Sequence, residues 1–194
     1  MKWRQEIANV TEQAAWYDQK FMAMGGVWQT PAGDWVDHME RMALQTGEHV
    51  ADLGCGDGSF LRACYAVKGI SGVGVDISDV AVRWAGRGRT LSFVHSDAGS
   101  WLRGQASDSW QRIVSLGSLE HFIDVEDVLA EIRRVLRPDG KWYFFVPNEL
   151  WKHRDQPTER TGRDEEWVAL FMRAGLKTTD KQRLGDCTSL WGGK

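Results

Sequence analysis

From the third residue onward, Trp3, Ile7, Val10, Ala14, Tyr17, Phe21 and Met24 recur at alternating steps of four and three. That spacing lays them along one stripe of an amphipathic helix. A second helix is predicted to start at Pro31, with Thr30 as N-cap, to carry Trp35, Met39 and Met42 inward, and to stop near Gly47. From His49 the period changes. Short apolar runs at 49–53, 72–76, 91–95, 111–116 and 141–146 read as strands, separated by helices at 58–68, 79–87 and 125–137 and a turn of helix after Asp97. In the helix after Asp124, its expected cap, Val125, Val128, Leu129, Ile132, Val135 and Leu136 share a face. Strand and helix in alternation predict a parallel sheet covered on both sides.

After Pro147 the chain turns polar as far as Gly162 and carries Pro157, which reads as a loop with at most one turn of helix. Trp167, Leu170, Phe171 and Ala174 then mark a helix ending at Gly175, and two weak strands close the chain. The expected organisation is one α/β domain over residues 1–194. It comprises a helical cap over 1–47, a ligand-binding core over 48–148, and a segment over 149–194 that supplies a substrate loop, the last helix and the closing strands.

Hydrophobic residues at 42% and charged residues at 26% are ordinary globular usage. The 11 tryptophans are not, and they fill either the core or an aromatic-lined pocket. A net charge of −3 gives no field for holding a phosphate backbone, which disfavours nucleic acid as a partner. Cys55, Cys64 and Cys187 form neither a CxxC pair nor a Cys/His cluster, so reduced thiols and no metal site are expected. The charged opening Met1-Lys2-Trp3-Arg4-Gln5-Glu6 lacks a signal-peptide core, and no apolar run reaches membrane-spanning length. A cytoplasmic location is expected.

The segment Val50-Ala51-Asp52-Leu53-Gly54-Cys55-Gly56-Asp57-Gly58-Ser59 sits where the first strand of the alternating region hands over to a helix. Its glycines let the backbone turn sharply and approach a ligand, and the following helix directs free N–H groups at the same place. Asp76 ends the next strand, 22 residues after Gly54, where a carboxylate can accept from a ribose diol. The pairing implies a nucleoside. A nicotinamide dinucleotide would want glycine or alanine where Ser59 stands. A tight turn with no ligand is the plain alternative.

Asp52-x-Gly54-x-Gly56-x-Gly58, Asp76 after Gly72-Val73-Gly74-Val75, and Asp97 after Phe93-Val94-His95-Ser96 together resemble the first motifs of class I S-adenosylmethionine-dependent methyltransferases. The segments Ile113 to Phe122 and Arg134 to Gly140 look like the same family's fourth-strand region and the approach to its fifth strand. The resemblance covers about residues 49–148 and implies a Rossmann-like, mostly parallel seven-stranded sheet with helices on both faces, behind an N-terminal helical segment. It implies S-adenosylmethionine as cofactor and S-adenosylhomocysteine as product. Asp52, Gly54, Cys55, Gly56 and Gly58 would hold the methionine end, and the Leu116 or Gly117 carbonyl would face its ammonium. Asp76 would take the ribose, Ile77 would lie against the adenine, and Asp97 with the Ala98 N–H would read its edge. Gln111 and Asp139 depart from the family pattern at positions expected not to touch the cofactor.

Transfer from a sulfonium is an in-line displacement that needs alignment and the exclusion of water. A hydroxyl or ammonium acceptor needs a base as well. His121, following the fourth strand, is the catalytic candidate, against a capping or packing role. Glu120, Glu149 and His153 are weaker candidates. Tyr17, Trp28, Glu120, Asn148 and Trp151 are candidate acceptor contacts, each of the aromatics being as well suited to core packing. The expected activity is methylation of an O or N nucleophile on a small-molecule acceptor, by a monomer or homodimer. The alternatives are an RNA or protein methyltransferase, a non-catalytic S-adenosylmethionine-binding module, and a dehydrogenase.

Overall fold

The computed structural model describes residues 1–27, 32–86, 88–152 and 156–194. In chain order the elements are β1 (Lys2–Gln5), α1 (Val10–Met24), α2 (Ala32–Arg41), β2 (His49–Leu53), α3 (Ser59–Lys68), β3 (Ser71–Asp76), α4 (Asp79–Ala85), β4 (Leu91–His95) and α5 (Ala98–Arg103). There follow β5 (Trp110–Leu116), a single 3-10 turn (Leu119–His121), α6 (Val125–Val135), β6 (Leu136–Pro147), β7 (Thr158–Thr161), α7 (Asp164–Arg173), β8 (Lys177–Leu184) and β9 (Cys187–Gly193).

Seven strands form one sheet in the order β4-β3-β2-β5-β6-β9-β8. The pairs from β4 through β6 are parallel, and β9 runs against both its neighbours. Strand order reverses between β2 and β5, so a crevice opens beyond their carboxyl ends. On one face α5, α6 and α7 bury Leu102, Val128, Ile132, Trp167 and Phe171 against the sheet. On the other, α2 and α3 bury Met39, Phe60, Leu61 and Cys64. A third cluster of Tyr17, Phe21, Val27 and Ala81 joins α1 to α4 above the crevice.

The β/α core follows the periodicity, with boundaries moved by a few residues. The fifth of the predicted strands runs back to Leu136, because the chain leaves α6 directly into β6. Asp124 stands at the N-cap of α6 but makes no side-chain cap hydrogen bond.

Larger corrections fall outside the core. The apolar stripe from Trp3 does not make one helix. Lys2–Gln5 is a strand, paired antiparallel with Thr158–Thr161, and the expected polar loop therefore contains a strand as well. Trp3 lies under the Arg160 guanidinium, 3.7 Å from its ring centre. The helix starts only at Val10 because Asn9 caps it. The Asn9 carboxamide accepts from the Glu12 N–H at 3.0 Å, while Glu12 accepts from the Ala8 N–H at 3.0 Å. The second helix ends at Arg41, before the left-handed Ala43 (φ 48°), rather than near Gly47. Trp28, Thr30, Pro31 and His153 lie outside the described residues.

Candidate active site

A cavity of about 900 Å³ occupies the crevice at the sheet's reversal. Its floor is made by the turns after β2, β3, β4 and β5, and α1 lies across it. Of the expected cofactor contacts, Asp52, Gly54, Cys55, Gly56, Asp76, Ile77, Asp97, Ala98, Leu116 and Gly117 all line it.

The turn after β2 is fixed to its neighbours by its own backbone. The Gly54 and Cys55 N–H groups both donate to the Val75 carbonyl, at 2.8 and 3.1 Å. Gly54 has φ 80°, and a Cβ there would collide with Ser118, whose hydroxyl donates to the Gly54 carbonyl at 3.1 Å. Glycine is required at 54 for left-handed backbone and for close approach of the β5 turn. Gly58 does not line the cavity. It caps α3 at φ 77°, and its missing Cβ makes room for the Phe93 ring, so this glycine serves packing.

Asp76 accepts from the Gly56 N–H at 2.8 Å with one carboxylate oxygen and from the Ser78 N–H at 2.9 Å with the other. Burial nevertheless holds its pKa above the ordinary carboxylate range. Asp52 is 2% exposed, and burial, helped by the charge of Asp76, pushes it up to about 8. Asp97 caps α5 by accepting from the Ser100 N–H at 2.9 Å. Gln111 and Asp139 stay off the cavity, with Gln111 accepting from the His49 N–H at 3.1 Å.

The rest of the cavity wall is assembled from distant segments. His121, Glu120, Tyr17 and Trp151 line it, together with Gln13, His38, Gln156 and Cys187, which the sequence did not single out. His121 is 7% exposed. Its Nδ1 donates to the Thr158 carbonyl, and its own carbonyl accepts from the Gln13 carboxamide at 2.7 Å. The same Gln13 nitrogen donates to the Thr158 hydroxyl at 2.6 Å. Because a carbonyl can only accept, the neutral ring carries its proton on Nδ1 and presents Nε2 as a lone pair. Glu120 Oε1 stands 3.6 Å from that Nε2. Its other oxygen is buried with no hydrogen-bond partner, and burial together with Glu159 pushes Glu120 up to about 8. Tyr17 donates its hydroxyl to Gln156, and the Trp151 indole donates to Glu159 at 3.0 Å.

Two candidates are placed elsewhere. Asn148 is fully buried off the cavity, donating to the Gly185 and Cys187 carbonyls at 3.0 and 3.1 Å, so it fixes the β6–β9 corner instead of meeting an acceptor. Glu149 pairs with Arg183 at 2.6 Å, outside the lining. Arg160 is 6% exposed and donates to the Phe122 and Ile123 carbonyls. It ties β7 to the loop after His121. Among the described residues no His/Cys/Asp/Glu group could hold a metal ion, and no helix is long and apolar enough to cross a membrane.

Residues 28–180 match the family model of the methyltransferase domain. The chain belongs to the class I S-adenosylmethionine-dependent methyltransferases. It is 28% identical over 124 residues to the ubiquinone biosynthesis O-methyltransferase of Aromatoleum aromaticum, an alignment covering 61% of this chain and 51% of that protein. The chain spans between about half and two thirds of the length of the first curated relatives it matches. Among solved structures, a chain from the complex of the Haloferax volcanii Trm112 methyltransferase activator with a methyltransferase superposes with TM-score 0.76 at 23% identity, covering 94% of this chain and 97% of that one. The Burkholderia thailandensis 1,6-didemethyltoxoflavin-N1-methyltransferase, solved with that compound and S-adenosylhomocysteine, superposes with TM-score 0.75 at 20% identity, covering 97% and 91%. At these identities the structural matches speak for the fold.

Proposed function

We propose that this methyltransferase moves the methyl group of S-adenosylmethionine to an oxygen or nitrogen of a small acceptor, releasing S-adenosylhomocysteine. The observation that carries the reading is the convergence of Asp52, the 54–56 turn, Asp76 and Asp97 on one cavity that His121 also lines. A buried carboxyl pushed up to about 8, as Asp52 is, suits a cationic guest: an ammonium beside it restores the ionised form. Asp76 keeps free lone pairs after accepting two backbone N–H groups, enough for two ribose hydroxyls. Ile77 offers an apolar face to the adenine, and the Asp97 carboxyl and Ala98 N–H lie where its edge would fall. Cys55, Leu116 and Gly117 complete the methionine end.

When bound, S-adenosylmethionine supplies an electrophilic methyl group. His121 takes the acceptor's proton at Nε2, with its ring held by the Thr158 carbonyl. Tyr17 and Trp151 flank the acceptor, while α1 keeps water away. Residues 1–194 act as one domain, monomeric or homodimeric, in the cytoplasm. The small-molecule pathway in the name of the Aromatoleum relative supports a small acceptor, and the net charge of −3 disfavours nucleic acid.

Heat tests the reading. S-adenosylhomocysteine at 100 times its dissociation constant is expected to stabilise the fold by about 2.7 kcal/mol. An unchanged melting temperature at saturating ligand would overturn it. Labelled S-adenosylmethionine and a metabolite extract would then identify the compound that gains the label.

A further inference from the structure

We propose that the acceptor is a small amine, taken up as its ammonium and anchored by the Glu120 carboxylate. The proposal rests on the methyl-transfer reading and names its substrate class. Two features point to a cation. Among the described lining residues seven are Asp or Glu, and four of them (Asp57, Glu120, Asp124 and Asp127) have no part in the cofactor reading, against a single guanidinium, that of Arg103, and no lysine. The second feature is Glu120 itself. It is 5% exposed and lines the cavity, and its Oε2 is buried with no hydrogen-bond partner. A buried carboxyl oxygen left unmatched is costly, and proteins resolve such a site with a proton or a cation. The neighbouring Glu159 is satisfied by the Trp151 indole, so the unmet demand belongs to Glu120.

The walls agree. Tyr17, Trp35, Phe145 and Trp151 line the same cavity, and aromatic faces attract an ammonium when water is displaced. Burial and Glu159 push Glu120 up to about 8 in the ligand-free protein, and an ammonium in contact returns it to the ionised form. Nε2 of His121, 3.6 Å from Oε1, then stands beside the bound nitrogen.

The chemistry balances. The ammonium gives one proton to His121 Nε2, which frees the nitrogen lone pair. That pair forms the bond to the methyl carbon as the carbon–sulfur bond breaks, and the pair of the broken bond stays on sulfur. The products are the N-methylated ammonium, neutral at sulfur S-adenosylhomocysteine, and a protonated His121 that returns its proton to solvent.

The test uses three probes that share one ring and differ in charge: phenethylamine, 2-phenylethanol and 3-phenylpropanoate. Calorimetry on the intact protein at neutral pH, with and without S-adenosylhomocysteine, is expected to show the amine binding at least tenfold more tightly than the alcohol, with the anion weakest. Glu120→Gln is expected to remove the amine's advantage, and Glu120→Asp to keep part of it, while S-adenosylhomocysteine affinity stays within about twofold in both. Thermal melts confirm that each variant folds, and if the Gln variant does not, the Asp variant carries the comparison. Equal or tighter binding of the alcohol or the anion, no measurable binding of the amine, or an amine preference that survives Glu120→Gln would overturn the proposal. A protein that prefers the amine yet ignores S-adenosylhomocysteine would overturn the methyl-transfer reading instead.

Discussion

In the proposed cofactor site, Asp52, the 54–56 turn and Asp76 sit on or beside adjacent parallel strands and are locked together largely by backbone groups. In the proposed acceptor site His121, Gln13, Tyr17 and Thr158 come from segments far apart in the chain and are joined mainly through side chains. The first is held by the backbone hydrogen bonds of the sheet and its turns. The second is only as well ordered as a few polar contacts across α1 and β7. A cofactor site built from backbone tolerates change around it, and an acceptor site built from side chains can be altered without disturbing the sheet.

The sharpest way to break this comparison is His121→Ala. If the ring is the base, turnover falls by roughly 10²- to 10⁴-fold, while S-adenosylhomocysteine affinity changes little. Equal loss of both, measured by steady-state kinetics and calorimetry, would mean that the two sites are one structural unit.

The next largest effect concerns protons. Asp52 and Glu120 are each pushed up to about 8 in the folded chain, against an ordinary carboxylate value near 4 when unfolded. Between those values the folded state holds protons that the unfolded state has lost, so ligand-free stability is fully present below about pH 4 and declines as pH rises toward about 8. Melting temperatures across that range are expected to fall less steeply in Asp52→Asn and in Glu120→Gln than in the parent. S-adenosylhomocysteine binding near pH 7 should release up to about one proton in the parent and less in Asp52→Asn. Calorimetry in buffers of different ionisation enthalpy reads that difference.

Gln13→Ala sharpens the acceptor side. It removes hydrogen bonds to the His121 carbonyl and the Thr158 hydroxyl, and is expected to cost about 1–3 kcal/mol of stability. It should raise KM for the acceptor and leave cofactor affinity near the parent's. The smallest effect is Asn9→Ala, which removes the α1 cap and costs about 1 kcal/mol, seen as a melting shift of a few degrees.

The turn and carboxylates of the proposed cofactor site were legible in the sequence as neighbours because their signal is local. The glycines and Asp52 lie in one turn, and Asp76 follows at a distance that a single βαβ unit fixes. Gly58 shows the limit of that legibility, since it lies off the cavity lining and its missing Cβ makes room for Phe93. In the proposed acceptor site, position after the fourth strand pointed to His121, but its partner Thr158 lies in a stretch whose polar composition read as loop. Pairing between β1 and β7 leaves no local trace, and the spacing of Trp3 and Ile7 imitates a helix that Asn9 prevents. Gln13 leaves no signal for a related reason: it is a polar residue at the buried face of α1, where the periodic pattern consists of apolar positions. His38 carries no motif of its own in the sequence, although it lines the cavity and its Nδ1 meets the Tyr143 hydroxyl at 2.7 Å.

The ribbon that joins Lys2 to Thr161 has a kinetic corollary. Contacts between neighbouring strands close early in folding, whereas a pairing between stretches so remote along the polypeptide closes late. During renaturation the molecule is expected to recover S-adenosylhomocysteine binding first, and to seat the His121 imidazole against Thr158 only once those remote stretches have met.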